Sequence, residues 1–438
     1  MTTPRSRAPL RVTTLAAAAA AVLLLPAAAA AQTYPEPKQP GKLAPKPTGP
    51  FATHTVCKRG SRCDFRTIQA AVDAADAGDR ISVRRGVYRE AVTISGRSKR
   101  YLRIVGDRRR PRRVVLDGSG RKQNGFYVNG ADQVTIDGFL ARDYRANGFF
   151  VVNAVGYELT NLVAAKTGVY GVYAFNSKGG VMSRSEAYYH GDAGFYVGQT
   201  PQQSNPVRTM VRDVESWGNP IGFSGTNMRY VTITRSRFYS NGIGLVPNAL
   251  ESERFPPAEA NVIASNDVFW NNFNFHAGAP FEPKQSDVVP LVPIGTGILL
   301  LGGRTNRIEG NRVFGHYLAG VAAVEGILLD ETTEARALVG NRVSGNAFGL
   351  GGEDRNGRDL AYDGNGTGNC WGPNDGVRAT LPADPAVFPT CPFGGANAFS
   401  LQAQSQLLGF AGASALGGWI KHPHKARPGV RPLEVYEP

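Results

Sequence analysis

A short unit recurs through the middle of this chain, at first at intervals close to 23 residues and later also at longer intervals that contain Pro-rich insertions. In each copy a glycine is followed by apolar or aromatic residues, and the copies begin at Gly125, Gly148, Gly171, Gly194, Gly222, Gly244, Gly297, Gly320 and Gly349. Strands this short cannot bury their apolar faces singly, whereas stacked copies share one continuous core. The repeat therefore predicts a solenoid.

The residues between the glycines indicate which solenoid this is. They are β-branched or aromatic with a period of two, which excludes helical repeats, and leucine does not recur as it does in leucine-rich repeats. A second pattern repeats asparagine around a short apolar strand, as in Asn266–Asn271, Asn311–His316 and Asn341–Asn346. We expect a parallel β-helix in which glycines mark the turns and asparagines bond from coil to coil, with His316 in a structural asparagine position.

The first 31 residues have the pattern of a secretory signal peptide. Three arginines precede an apolar run from Leu15 to Leu25, and a stretch of alanines ends at Ala31. Pro26 interrupts the alanine-rich segment, so a transmembrane anchor is not expected. The sequence predicts a signal peptide over residues 1–31 and a secreted, extracellular or cell-envelope location.

Composition divides the rest of the chain into three parts. Residues 32–55 form a Pro/Lys-rich leader with almost nothing to bury, which predicts disorder. Residues 56–395 contain the repeats and are expected to form one β-helix domain. Residues 396–438 are expected to form a C-terminal cap segment and a basic tail.

The four cysteines fall into two local pairs. Cys57 and Cys63 are close in sequence, as are Cys370 and Cys391. An exported chain meets an oxidising compartment, where cysteines pair. Metal binding is the rival interpretation, but neither pair has a Cys-x-x-Cys spacing or a suitably spaced histidine. We expect two structural disulfides, with local pairing the simplest of the three connectivities.

A stretch near the start of the expected domain resembles a known fold family. It reads Phe65-Arg-Thr-Ile-Gln-Ala-Ala-Val-Asp-Ala-Ala75, then Gly78-Asp-Arg-Ile-Ser-Val83, then Gly86-Val-Tyr-Arg-Glu90. This resembles the start of the pectin-lyase-like right-handed β-helix superfamily, in which a capping helix covers the first coil. The resemblance implies an all-β, right-handed parallel β-helix with an N-terminal capping helix, whose apolar face here would be Ile68, Ala71, Val72 and Ala75.

The resemblance does not identify the chemistry, since the superfamily includes lyases, hydrolases, esterases, epimerases and non-catalytic binders. Gly86–Glu90 matches the start of pectin methylesterases, but their Gln-Asp-Thr motif is missing, and the motifs of polygalacturonases and pectate lyases are absent too. Tyr362–Trp371 is similar to a closing motif of secreted members that include copper-site maturation proteins. No cluster of Met, His and Cys suited to copper accompanies it in the sequence.

Alternation along three neighbouring strands predicts an outward-facing patch. If Ala187, Val214 and Phe238 point inward, the residues on either side of each of them in its strand point outward. The register of the middle strand is uncertain by two residues, which keeps the parity. The candidate catalytic residues are Glu186, Tyr188, His190, Asp213 and Glu215, and the candidate substrate-binding residues are Lys166, Trp217, Arg237 and Tyr239.

This patch suits a sugar acid. Aromatic rings can stack on sugars, and cations can pair with the carboxylate of a uronic acid. His190 or Tyr188 would abstract a proton next to that carboxylate, or two of the carboxylates would act as a hydrolytic pair or bind Ca²⁺. The competing interpretation is that these residues are ordinary surface charges and aromatic ladders.

Positive charge is concentrated before this patch. The chain carries a formal charge of +14, and nine basic residues lie within Arg97–Arg113 against a single acid, Asp107. Nucleic acid is one partner of such stretches, but export argues against it, and an anionic glycan or a solvated loop fits better. We place this stretch outside the suspected site. Asp354–Asp359 resembles a calcium loop only loosely.

Together these features predict an exported β-helix protein that binds an anionic, uronic-acid-containing polysaccharide or cell-wall glycan. As an enzyme it would be a polysaccharide lyase, an epimerase or a glycoside hydrolase. The alternative is a non-catalytic cell-surface or extracellular solenoid that binds glycan or is structural, and a metallochaperone role is the third reading. No cofactor is predicted with certainty, Ca²⁺ being the one candidate, and we expect no nucleic-acid partner.

Overall fold

The structure is a computed structural model that describes residues 40–60, 62–250, 253–284, 289, 292–326, 336–350 and 354–415. In this part of the chain the backbone winds repeatedly through three parallel sheets, which is a parallel β-helix. These residues belong to one compact unit. The predicted signal peptide, residues 1–31, and the end of the predicted basic tail, residues 416–438, lie outside the described residues.

Each coil contributes one strand to each sheet in turn. Sheet 1 contains Thr53–Val56, Arg80–Val83, Arg103–Val105, Val134–Asp137, Tyr157–Thr160, Val181–Ser183, Thr209–Arg212, Val231–Thr234, Val262–Ala264, Arg307–Glu309, Arg342–Ser344 and Cys370–Trp371. Sheet 2 contains Gly86–Tyr88, Val114–Asp117, Leu140–Arg142, Val163–Ala165, Glu186–Tyr188, Glu215–Trp217, Arg237–Tyr239, Asp267–Phe269, Arg312–Phe314 and Ala347–Phe348.

Sheet 3 has the longer strands. It contains Val92–Ser95, Asn124–Asn129, Asn147–Val152, Tyr170–Phe175, Ala193–Val197, Ile221–Thr226, Ile243–Asn248, Thr296–Leu301, Ala319–Val324, Leu360–Tyr362 and Thr380–Leu381. Gly303–Arg304 pairs with Leu338–Val339 in a small fourth sheet. The α-helices whose bounds lie within the described residues are Ile68–Ala74 and Leu401–Ala415, and the 3₁₀ helices there are Arg97–Lys99, Pro111–Arg113, Phe275–Ala277 and Pro385–Val387.

The repeated glycines from Gly125 to Gly320 lie inside strands of sheet 3 rather than at turns, which corrects the sequence-based expectation. Gly349 lies at a turn, directly after the sheet 2 strand Ala347–Phe348. Gly171 is the second residue of its strand, and the residue after it, Val172, is fully buried in the core. A Cβ at Gly171 would lie 2.5 Å from the His190 imidazole and 2.6 Å from a backbone oxygen of the next coil. Glycine is therefore needed at this position because a turn side chain and the backbone of the next coil occupy that space.

Those turn side chains form ladders, as the asparagine pattern predicted. At the corner between sheets 2 and 3, the backbone N–H of each ladder residue donates to the side chain of the ladder residue one coil further on. In order, the ladder residues are Thr167, His190, Asn219, Asn241, Asn271, His316 and Asn356. The structural position predicted for His316 is confirmed. Asn341–Asn346, however, flanks a strand of sheet 1 and not of sheet 2, since asparagine ladders can form at every corner of the coil.

The N-terminal helix Ile68–Ala74 follows the predicted pattern. Its buried residues, Ile68, Ala71 and Val72, join the core of the β-helix. Thr67 caps its start, and the Glu90 carboxylate accepts the backbone N–H groups of Ile68 and Gln69 at 2.9 and 3.1 Å. The Gly-x-Tyr-x-Glu motif thus has a structural role at this position.

Part of the predicted leader is ordered against the domain, which corrects the expectation of disorder for its described residues. Ala44 is buried, its N–H donates to Asp132 at 3.0 Å, and its carbonyl accepts from Tyr101. Thr53–Val56 is the first strand of sheet 1, so the β-helix begins three residues before the expected boundary at 56.

Both expected disulfides are confirmed. Cys57 pairs with Cys63, and Cys370 pairs with Cys391. At the other end of the domain, the helix Leu401–Ala415 buries Ala403 and Leu407. No helix in the described part of the chain is long and apolar enough to cross a membrane.

Candidate functional site: an arginine-lined cleft on sheet 2

Sheet 2 places the predicted residues in two outward columns. Glu186, Glu215 and Arg237 stand in register in one column, and Tyr188, Trp217 and Tyr239 stand in register in the other. Between them the inward column contains Ala187, Ser216 and Phe238, so the middle strand takes the shifted register, with Ser216 in the place expected for Val214. The expected parity of the strand residues is confirmed.

The aromatic column is stacked and largely buried. Tyr188 and Trp217 lie face to face with ring centroids 4.5 Å apart, and Tyr239 stacks on Phe269 at 5.1 Å. Trp217 is only 4% exposed and Tyr239 only 2%. The expectation that these two rings offer faces to a sugar is therefore wrong, because their packing against neighbouring side chains leaves almost no part of either ring exposed.

Neighbouring arginine and aromatic side chains hold the carboxylates of Glu186 and Glu215 in the charged column. Glu186 forms an ion pair with Arg112 and accepts the indole N–H of Trp217 at 3.1 Å. Glu215 accepts from Arg237 and from the Tyr239 hydroxyl, both at 3.3 Å. Burial raises the pKa of Tyr239, so its hydroxyl remains a donor at physiological pH.

Arg112 belongs to the basic stretch, which the sequence interpretation placed outside the site. In the structure the end of that stretch lies over the first strands of sheet 2 instead. Arg108 pairs with Asp137, Asp107 accepts the backbone N–H groups of Arg109 and Arg110, and Arg112 donates to the Tyr188 hydroxyl at 2.9 Å. These contacts fix residues 107–113 against the candidate residues.

The loop and sheet 2 enclose a cleft of about 820 Å³. Its charged lining consists of six arginines and three carboxylates, namely Arg109, Arg110, Arg112, Arg113, Arg184 and Arg237 with Glu186, Asp213 and Glu215. Among the described residues, the guanidinium groups of Arg109, Arg110 and Arg113 form no ion pair or hydrogen bond. The cleft therefore carries surplus positive charge that its own carboxylates do not neutralise.

His190 does not face this cleft. The prediction that it points outward is wrong, since the side chain is fully buried and its Nδ1 accepts the Thr167 backbone N–H. The strand ends at Tyr188, and Tyr189 has a left-handed backbone with φ of 60°. Alternation stops at that turn, so His190 points inward. Burial lowers its pKa to about 3.

The remaining candidates lie at the edges of the site. Asp213 lines the cleft from the turn before its strand, and its hydrogen bonds to Arg235 hold the pKa of the carboxyl below its usual value. Lys166 is exposed at the turn after Val163–Ala165 and does not line the cleft. Within the described residues, no group of three His, Cys, Asp or Glu side chains is placed to hold a metal ion. In the stretch that resembled a calcium loop, Asp359 accepts two backbone N–H groups.

A family model described as "Right handed beta helix region" matches residues 116–369. The chain belongs to this right-handed β-helix family. The handedness and fold class expected from the sequence are thereby confirmed. No curated protein matches the chain in sequence.

The solved structures that match this chain are only distantly similar to it. The A-module of the mannuronan C-5 epimerase AlgE4 from Azotobacter vinelandii is 16% identical, with 72% of this chain and 88% of that chain covered and a TM-score of 0.41. Pectate lyase Pel9A is 14% identical over 80% of this chain and 82% of that chain, with a TM-score of 0.37. DFA-IIIase from Arthrobacter chlorophenolicus A6 is 12% identical over 71% and 93%, with a TM-score of 0.41. Likeness at this level does not indicate an activity.

Proposed function

We propose that this protein is an exported glycan-binding β-helix that holds an acidic polysaccharide in the arginine-lined cleft of sheet 2. The observation that carries the proposal is a set of three guanidinium groups, on Arg109, Arg110 and Arg113, that have no partner in the part of the chain that the structure describes. Guanidinium groups pair with carboxylates in two-pronged hydrogen bonds that are stronger than neutral ones. An anionic polymer supplies one such group per sugar.

The carboxylates of the cleft support the same role. Glu215 has 42% of its side chain exposed, so it can accept hydrogen bonds from sugar hydroxyls. Arg237 and Tyr239 fix its orientation, and Arg112 and Trp217 fix that of Glu186. Of the two proton acceptors expected for a lyase or an epimerase, His190 is buried away from the cleft, and the Tyr188 hydroxyl already accepts a hydrogen bond from Arg112. This favours the non-catalytic member of the two predicted functions.

The proposed location is outside the cytoplasm. Disulfides persist in oxidising compartments, and this chain contains two. We interpret residues 1–31 as the signal peptide that directs export.

Charge on the glycan should decide binding. In affinity gels, polygalacturonate, alginate and heparin are expected to retard the protein, whereas fully methyl-esterified pectin is not, since esterification removes the anion and keeps the sugar. Duplex DNA serves as the comparison polyanion, and equal retardation by DNA would contradict a glycan-specific role. Absorbance of unsaturated uronates and reducing ends is followed in parallel. Turnover that Glu215→Gln abolishes would establish catalysis and contradict the binding-only proposal.

A further inference from the structure

A lysine and an aspartate far apart in sequence meet beside sheet 3. Lys284 belongs to the long insertion between the repeated glycines Gly244 and Gly297, and Asp192 directly precedes the strand Ala193–Val197. The backbone N–H of Lys284 donates to the carbonyl of Gly191 at 2.7 Å, so the insertion is bonded to the residue next to Asp192. This contact brings together two side chains that are 92 positions apart.

The two charged groups are in contact and sheltered from water. The Lys284 Nζ atom lies 3.1 Å from Asp192 Oδ2, and the two side chains are 26% and 8% exposed. The ring of Tyr170, itself buried, has its centre 5.3 Å from the same Nζ. An amine and a carboxyl held at contact distance react far more readily than the same groups free in solution, and the exclusion of water opposes the reverse hydrolysis.

A third ionisable group, the Glu253 carboxyl, lies near this pair. Its Oε1 accepts the Tyr196 hydroxyl at 2.7 Å, and its Oε2 is buried and makes no hydrogen bond with any described residue. Burial raises the pKa of Glu253 to about 7, and the charges of Lys284 and Asp192 act on it in opposite directions. Glu253 is therefore within electrostatic reach of both partners and can take up and release a proton near neutral pH.

We propose that Lys284 and Asp192 join in an intramolecular amide bond, with Glu253 as the proton carrier. The Nζ lone pair attacks Cγ of Asp192, so a C–N bond forms and one C–O bond breaks. Of the three protons of the ammonium group, one stays on the amide nitrogen and two leave with the carboxylate oxygen as water. Glu253 accepts a proton from the ammonium group and returns it to the departing oxygen. Nothing is oxidised or reduced, so no co-reactant is needed.

Such a bond would anchor the insertion covalently to sheet 3. It would also replace a poorly solvated ion pair, whose desolvation is costly, by a neutral amide. The bond is independent of the proposed function, because it uses no residue of the arginine-lined cleft.

The intact mass of the protein, denatured and with its disulfides reduced, tests the bond. The mass is compared with that of the sequence counted from the observed N-terminus, and we expect it to be lower by one water molecule. A tryptic digest should contain a branched peptide that joins the segments of Asp192 and Lys284, without cleavage after Lys284. Lys284→Arg keeps the positive charge beside Asp192 but should have the full mass.

The role of Glu253 is tested by a matched pair of variants. Glu253→Gln keeps the shape of the side chain and an acceptor for the Tyr196 hydroxyl, but it cannot carry a proton, so this variant should have the full mass. Tyr196→Phe removes the same hydrogen bond and keeps the carboxyl, so it should still lose the water molecule. Thermal melts verify that both variants fold.

Three outcomes would overturn the proposal. A full mass for the natural chain would mean that Lys284 and Asp192 form an ion pair and nothing more. A loss of water that persists in Lys284→Arg would place the dehydration elsewhere in the chain. A complete loss of water in Glu253→Gln would show that Glu253 does not carry the proton. None of these outcomes affects the retardation by polygalacturonate, which tests the cleft.

Discussion

Replacing His190 and His316 together by asparagine should make the protein markedly more resistant to acid. Both imidazoles are fully buried in the ladder between sheets 2 and 3, and burial lowers the pKa of each from 6.5 to about 3. The unfolded chain gains a proton at each histidine as the pH falls below about 6.5, whereas the folded chain does not. Acid therefore favours unfolding, and the stability present above pH 6.5 is lost progressively as the pH falls towards 3.

The size of the effect follows from the proton difference. One histidine contributes about 1.4 kcal/mol for each pH unit, so at a pH about two units below 6.5 the pair lowers the free energy of unfolding by about 5 kcal/mol. Asparagine already fills the equivalent position at Asn271, where Oδ1 accepts the Asn241 backbone N–H at 3.1 Å. The double variant should thus retain the ladder and lose the proton dependence.

Denaturant titrations at pH 8 and about pH 4.5 measure this difference. We expect the variant and the natural chain to be similar at pH 8 and to separate at the lower pH, with each single variant showing about half of the gain. The titration of Glu253 has the opposite sign between pH 4.5 and 7, but it is common to both proteins and cancels. Equal losses of stability in acid would show that the histidines do not control it.

Truncating a central rung of the same ladder should destabilise the protein strongly. Asn241 is fully buried; its Oδ1 accepts the backbone N–H of Asn219 at 3.1 Å, and its Nδ2 donates to Ser216 and Asn271, both at 3.0 Å. Asn241→Ala would leave backbone and side-chain partners on two coils unsatisfied. At about 1–3 kcal/mol for each stranded group, we expect a loss of about 3–5 kcal/mol.

The last rung of another ladder provides the matched control. Within the described residues, the Asn397 side chain forms hydrogen bonds only with Asn369, on one side, and it is partly exposed. Asn397→Ala should therefore cost much less than Asn241→Ala, measured as the change in the free energy of unfolding at pH 7.5. Similar losses for the two variants would mean that ladder continuity does not stabilise the coils.

Much of the fold could be predicted because it repeats. Stacked strands place equivalent residues at equivalent positions, so a period near 23 residues and a period of two determine the sheet columns, including Glu186 with Glu215 and Tyr188 with Trp217. The parity argument failed only where it was carried past a strand end. Tyr189 turns the backbone into the left-handed region, and His190 consequently faces the ladder and not the solvent.

The site itself was only partly predictable. Arg112 and Glu186 are 74 residues apart in sequence, and only the path of the loop brings them together. The cluster of nine basic residues was the available signal, but sequence alone does not say which coil such a loop covers. The burial of Trp217 could not be predicted either, since it depends on Tyr189 and other rings from adjoining turns that pack on the column.

The central claim is that unpartnered arginines of the cleft hold an acidic polysaccharide. It is tested most directly by the dissociation constant for polygalacturonate of the triple variant Arg109→Ala, Arg110→Ala, Arg113→Ala. The control is a triple variant with the same change of charge at exposed arginines outside the cleft, Arg97→Ala, Arg121→Ala, Arg145→Ala. We predict that the cleft variant binds about a hundredfold more weakly and that the control loses little. Equal weakening of both would show that net charge, and not this cleft, attracts the polymer.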